Sequence, residues 1–393
     1  MKLPVYLDNH ATTRVDPRVV EAMLPYFGEH YGNASSRQHA FGWAAEGAVT
    51  VARGRVAALL GADPSEIIFT SGATESINLA IKGAAEGLRG HGNHIITSMT
   101  EHRAALDTCR RLERYGFSIT YLPVDSTGKI SVDELEQAMS AKTILVSIMA
   151  ANNEIGTIAA LEEIGNVCRG RKVLFHTDAA QAAGKIPIDL SRLPVDLLSL
   201  TAHKMYGPKG IGALYVRKAG AAIPIVPQID GGGHEHGLRS GTLNVPAIVG
   251  FGEAARIAQK EIVPEGIRIA GLRNALIDGL RAHVGGIRVN GHQSDRLPNN
   301  ANITFEGITA DRLMMDMKDI AVSSGSACSS ASPEPSHVLK AIGLSDADAH
   351  ASIRFGLGRF TTDEEIAYAV RRVSETVKKE RDRMEVTEGV HVH

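Results

Sequence analysis

Between residues 67 and 216 the chain repeats one pattern: a short apolar run that closes on polar residues, then a stretch with helical spacing. The apolar runs fall at 67–70, 94–98, 143–150, 173–177, 197–200 and 212–216. Runs this short, with no polar alternation, read as strands buried on both faces. Helical spacing covers 40–60, 77–88 and 104–115. Strand–helix alternation predicts an α/β fold with a mostly parallel sheet between helical layers. Such sheets bind ligands beyond the carboxyl ends of their strands, and that is where the polar residues of this chain collect.

At 393 residues the chain is long for one compact core, which predicts two domains. The pattern changes near residue 255. Charged helical stretches at 253–261 and 267–283 precede short strands around Ile303 and Ile353, and a last helix starts at Thr362. The expectation is a large domain over 13–255 and a smaller α+β domain built from 1–12 and 256–393. A net charge of −2 calls for neither nucleic acid nor an anionic membrane. The N-terminus lacks a signal-like apolar run, and no stretch reaches membrane-spanning length, so a soluble, cytoplasmic chain is expected. Cys109, Cys168 and Cys328 are odd in number and far apart, which does not make a disulfide framework. No zinc-type spacing is present, and no metal is expected.

The strand ends carry chemistry. "FTSGATES" is a strand, a Ser-Gly-Ala-Thr turn and a helix start, so the free N–H groups around Ala73 and the Thr74 hydroxyl form a cup for a phosphate. Ser/Thr caps also begin many helices that bind nothing. Asp178 and Gln181 follow one strand, and a carboxylate placed there needs a partner. Lys204 follows another, beside Thr201 and His203; half-buried, such an amine loses proton affinity and becomes a nucleophile, whereas on a surface it would merely be solvated. His102 follows the third, and Asn152 and Asn153 the fourth. A phosphate cup, a carboxylate, an amine, an imidazole and an amide on one edge are what pyridoxal phosphate requires.

Cys328 lies in a different setting. From Ser323 to Ser332 every residue is Ser, Gly, Ala or Cys, so no long side chain anchors the segment to a core. Most free cysteines are buried and structural, but this one has no apolar flank, and a thiol so placed is free to act as a travelling nucleophile. Cys109 and Cys168 lie in helical patterns.

With these residues in view the chain resembles the group I cysteine desulfurases (the IscS/NifS type) within the aminotransferase class V family of fold-type I pyridoxal-phosphate enzymes. The resemblance runs from "YLDNHATT" to "SIRFGLGRF" through "FTSGATES", "TEH", "NNEIG", "DAAQ", "HKMYGPKG", "GGGHEHGLRSGT" and "SSGSACSSASPEPSHVL". It implies that Lys204 holds the cofactor covalently, Asp178 pairs its ring nitrogen and His102 stacks on the ring. Gln181 and Asn153 would contact the ring oxygen or the substrate. Ala73, Thr74, Thr201 and His203 would bind the phosphate, joined by Thr242 from the other subunit of a homodimer. Arg354 would clamp the carboxylate of L-cysteine, and Cys328 would take its sulfur and pass it to a scaffold of the IscU/NifU kind. A selenocysteine lyase, or another class V lyase or aminotransferase, is the enzyme alternative; a docking hub without activity is the non-enzymatic one.

Overall fold

The structure is a computed structural model that describes residues 2–218, 220, 222–324 and 334–390, with side chains to 383. Eight strands precede the long central helix: β1 (Val5–Tyr6), β2 (Ile67–Thr70), β3 (His94–Ser98), β4 (Ser118–Leu122), β5 (Thr143–Ser147), β6 (Leu174–Asp178), β7 (Leu197–Thr201) and β8 (Gly212–Val216). Strands β2 to β8 form one sheet in the order β2-β8-β7-β6-β5-β3-β4. All its pairings are parallel except the two that β8 makes, so six strands run one way and β8 runs against them.

The reversal of β8 is invisible in sequence, because an apolar run has no direction. It brings the amino end of β8 to the same edge as the carboxyl ends of the other strands. Gly212 makes that possible: a Cβ there would lie 2.6 Å from the Leu200 carbonyl oxygen and 2.7 Å from backbone carbons of Gly72. Strand β4 escapes the apolar-run reading because its side chains are only partly buried. The run at 143–150 is strand only to Ser147, and Asp178 is the last residue of β6 rather than the first beyond it.

Helices cover both faces. On one side Val49, Val56 and Leu60 of the helix Ala40–Leu60 pack with Ile248, Phe251 and Ala255. On the other, Ile77, Ile81 and Ala84 of the helix Ala73–Gly87 pack with Ala105 and Cys109 of the helix Arg103–Glu113. Each large apolar side chain fully withdrawn from water here contributes about 1.5–3 kcal/mol before entropy is counted.

The two charged stretches at 253–261 and 267–283 are parts of a single helix, Val245–His283, with Pro264 inside it. Proline lacks one N–H but does not end this helix, whose two halves are each held by burial. The second half supplies Ile269, Leu272, Leu276 and Leu280 to a separate core. That core contains β9 (Ile287–Asn290), β10 (Asn300–Phe305), β11 (Ile320–Ala321), β12 (Ser323–Ser324) and β13 (Ser352–Gly356). Four of these form an antiparallel sheet, β12-β13-β10-β9, while β1 pairs in parallel with β11. The helix Asp363–Val390 adds Ile366, Val373 and Val377 to the same core, and Val5 and Leu7 join it from the N-terminus. Among the described residues no helix is long and apolar enough to cross a membrane.

Candidate active site

A cleft of about 720 Å³ opens at the carboxyl edge of the large sheet. Its walls include Ala73, Thr74, His102, Asn153, Asp178, Gln181, Thr201, His203, Lys204 and Arg354, ten of the residues singled out by the sequence. Thr242 is exposed and does not line this cleft within the chain. Cys328 lies outside the described residues.

Each wall has a local cause. Lys204 closes a short 3₁₀ turn, Ala202–Lys204, directly after β7. Thr13 clamps that turn, donating its hydroxyl to the His203 carbonyl at 2.9 Å and accepting the Tyr206 N–H at 2.9 Å. Tyr206 adopts φ +64°, a conformation costing a non-glycine residue about 1–2 kcal/mol, and the chain turns away there. The Lys204 ammonium donates to the carbonyls of His10 and Ala11 at the cleft wall.

Asp178 is 4% exposed, and its Oδ1 accepts the Ala180 N–H at 2.9 Å. Burial raises its pKa, opposed by the nearby His102 and Lys204. A buried carboxylate in that position is stabilised by a cation beside it. His102 caps its own helix, its Nδ1 accepting the Ala104 N–H at 3.1 Å. The structural capping role and the place on the cleft wall therefore coincide in one residue. Asn152 shapes the neighbouring turn: its Oδ1 accepts the N–H groups of Glu154 and Ile155, which leaves Asn153 facing the cleft.

The helix Ala73–Gly87 begins at Gly72, where φ is +154° and no side chain caps the first turn. Leading N–H groups without a side-chain cap are the setting in which a helix N-terminus can bind an anion. Glu75 ties this turn to the Ser71 N–H at 2.7 Å and to Arg239 at 2.9 Å. Burial, reinforced by Lys204 and Lys209, pulls His203 down to about 4, so it faces the cleft as a neutral imidazole.

Arg354, on β13, brings the smaller core to the cleft. It is 3% exposed, donates to the Asn153 carbonyl at 3.0 Å and to Asp8 Oδ1 at 2.9 Å, and its buried Nε has no hydrogen-bond partner among the described residues.

Aminotransferase class-V is the family whose model matches the chain, over residues 5–368. The chain belongs to the class-V aminotransferase family. Among class-V relatives it is 56% identical over 382 residues to a cysteine desulfurase IscS of Anaeromyxobacter sp. (strain Fw109-5), covering 97% of this chain and 94% of that one. It is equally identical over 384 residues to the cysteine desulfurase IscS of Vibrio vulnificus (strain CMCP6), covering 97% and 95%. A solved NifS-like protein superposes with a TM-score of 0.89 at 42% identity, covering 95% of this chain and 99% of that one. A second class-V structure, SspA in complex with cysteine, gives 0.81 at 40% identity, covering 91% and 100%.

Pyridoxal phosphate is the cofactor of this class-V chain. The residues present fit it: an uncapped helix N-terminus for a phosphate, a buried carboxylate for a ring nitrogen and a lysine, all lining the same cleft. Sequence reasoning passed over His10, Asp8 and Lys209. His10 and Lys209 line the cleft, and Asp8 pairs with Arg354. The signal for the first two lay within the "YLDNHATT" segment, but their partners are more than 160 residues away in the chain.

Proposed function

We infer that the chain is a cysteine desulfurase, converting L-cysteine to L-alanine and retaining the sulfur as a persulfide for iron–sulfur cluster assembly or thiolation. The observation that carries this reading is the meeting of Lys204, Asp178 and Arg354 in one cleft, the first two from the large sheet and the third from the small one.

Bound pyridoxal phosphate supplies an electron sink for bond changes at the substrate's α-carbon. Ala73, Thr74, Thr201 and His203 would hold its phosphate, and Lys204 its reactive carbon. Asp178 would keep the ring nitrogen protonated, and His102 would cover the ring. Gln181 and Asn153 would contact the ring oxygen or the substrate. Arg354 orients the cysteine carboxylate, as a planar guanidinium suits. The Lys204 amine would take up the α-proton and return it to Cα after the Cβ–S bond has broken. The Cys328 thiolate then attacks the substrate sulfur: an S–S bond forms, the Cβ–S bond breaks, and its electron pair stays with Cβ, which takes a proton to become the methyl of alanine. Cysteine and enzyme thiol thus yield alanine and enzyme persulfide with no outside oxidant.

Support for Cys328 comes from its described flanks. Ser323 is the register partner of Arg354, and the Ser336 hydroxyl donates to the carboxylate of Glu154, next to Asn153. Both flanks therefore stand beside the cleft. The same reading includes a large unit of 13–255, a small unit of 1–12 with 256–393, and a cytoplasmic homodimer. Thr242, exposed here, completes the partner's phosphate site, and a scaffold of the IscU/NifU kind accepts the sulfur.

Purified protein is expected to absorb in the near-ultraviolet to blue region and to form alanine from L-cysteine. In Lys204→Ala borohydride no longer fixes the cofactor to the chain. A wild-type protein that stays colourless after cofactor is added overturns the reading. Mixing Lys204→Ala with Thr242→Ala subunits tests the shared site: restored activity in hybrids supports it, and none under confirmed exchange refutes it.

A further inference from the structure

Four buried side chains form a line whose donors and acceptors are all determined. At one end Arg296, a donor only, gives NH1 to Asn300 Oδ1 at 3.2 Å. The Asn300 amide is thereby oriented, and its Nδ2 donates to the Glu154 carbonyl at 3.1 Å. The same Nδ2 lies 3.2 Å from His10 Nε2, which must accept. A neutral imidazole that accepts at Nε2 carries its hydrogen on Nδ1. His10 Nδ1 lies 2.9 Å from Gln181 Oε1, so the imidazole donates and the amide oxygen accepts. Gln181 Nε2 donates to the His10 carbonyl at 3.1 Å. One hydrogen of that Nε2 remains, on a residue that lines the cleft.

His10 is 1% exposed, and burial, with the charge of Arg354, brings it to about 3, so the neutral form prevails across the working range. Its backbone carbonyl also receives the Lys204 ammonium. Residue 10 thus holds two groups of the cleft at once, Gln181 through ring and carbonyl, Lys204 through carbonyl alone.

We propose that His10 is a positioning residue that locks the Gln181 amide with its N–H toward the cleft, under the control of Asn300 at the start of β10 and Arg296 just before it, so that Gln181 presents a donor to the anionic ring oxygen of pyridoxal phosphate. The proposal rests on the cofactor reading above. A donor at that oxygen stabilises its negative charge once the adjacent imine nitrogen has lost its proton, and so lowers the pH at which that nitrogen deprotonates. A Gln181 left free to turn presents its carbonyl instead, or nothing.

The first readout is the pH titration of the visible absorption band of the cofactor-loaded enzyme. His10→Leu is expected to move its midpoint upward by about one pH unit, the scale of a lost hydrogen bond to a charged oxygen. His10→Asn, whose Nδ2 stands where the imidazole Nδ1 does, restores most of that shift. Equal midpoints in wild type and His10→Leu at equal cofactor content overturn the proposal, as does a His10→Asn midpoint no closer to wild type than that of His10→Leu. The second readout needs no cofactor and no folded variant. Nitrogen-15 spectra of histidine-labelled wild-type protein show the His10 tautomer directly. An Nδ1–H imidazole is expected, and an Nε2–H form or an imidazolium near neutral pH refutes the line of bonds. A protein that never binds pyridoxal phosphate fails the functional reading alone and leaves this second result standing.

Discussion

Arg354 and Asp8 form an ion pair at 2.9 Å, their side chains 4% and 17% exposed, across the junction between the small sheet and the N-terminal segment. Asp8 and the Asn153 carbonyl hold the guanidinium from two sides, which orients it without consuming its Nε. Arg354→Lys keeps the charge and loses the planar fork. We expect KM for L-cysteine to rise about tenfold, roughly 1.4 kcal/mol of substrate binding, with kcat changed less. Steady-state alanine formation measures both. An unchanged KM would remove Arg354 from substrate binding.

Asp178→Asn preserves an acceptor for the Ala180 N–H, so fold and cofactor content should survive. The neutral amide no longer holds a proton on the ring nitrogen. A fall in kcat of roughly 100-fold, about 2.7 kcal/mol of barrier, is expected. Turnover near the wild-type rate at full cofactor occupancy contradicts the assignment.

Cys109 and Cys168 are buried in the two helical layers, and burial pushes both thiols up to about 12. At pH 7 roughly one molecule in 10⁵ carries a thiolate at either position, too few to compete as nucleophile. Mass spectrometry after brief exposure to cysteine should find the added sulfur on the peptide containing Cys328. Cys328→Ser should stop alanine formation, and Cys109→Ser should not. Transferable sulfur on Cys109 or Cys168 would refute this.

Lys185 is buried, its Nζ without a hydrogen-bond partner among the described residues and 4.0 Å from the centroid of the Tyr206 ring. Burial lowers it to about 7, with Glu265 opposing. In the unfolded chain the amine keeps its ordinary value near ~10.5, so between these limits the unfolded state binds the extra proton and stability rises with pH. The cost is full below pH 7 and gone above the unfolded value. Lys185→Met should therefore raise Tm over wild type most at pH 6–7, with the gain shrinking toward pH 10. A difference independent of pH would show that Lys185 stays charged in the fold.

Much of the site was legible because the chemistry sits at strand ends, and strand ends are marked in sequence by the change from apolar to polar. Lys204, Asp178 and His102 follow such changes and line one cleft. What was hidden depends on pairing. The direction of β8 is decided by its neighbours, and β4 is an edge strand whose half-exposed residues give no clean pattern. Pro264 looks like a break, yet burial on both sides carries the helix through it. His10 has no neighbour in sequence that announces its role; its meaning comes from Gln181 and Asn300, 171 and 290 residues away.

The helix Val245–His283 belongs to two cores at once, Phe251 to one and Leu276 to the other. It is a shared axle. Loss of either core would strip the apolar face from half of it, so the two cores are expected to melt together rather than apart. Arg354, on β13, and Lys204, just after β7, reach one cleft from the two cores that this axle joins.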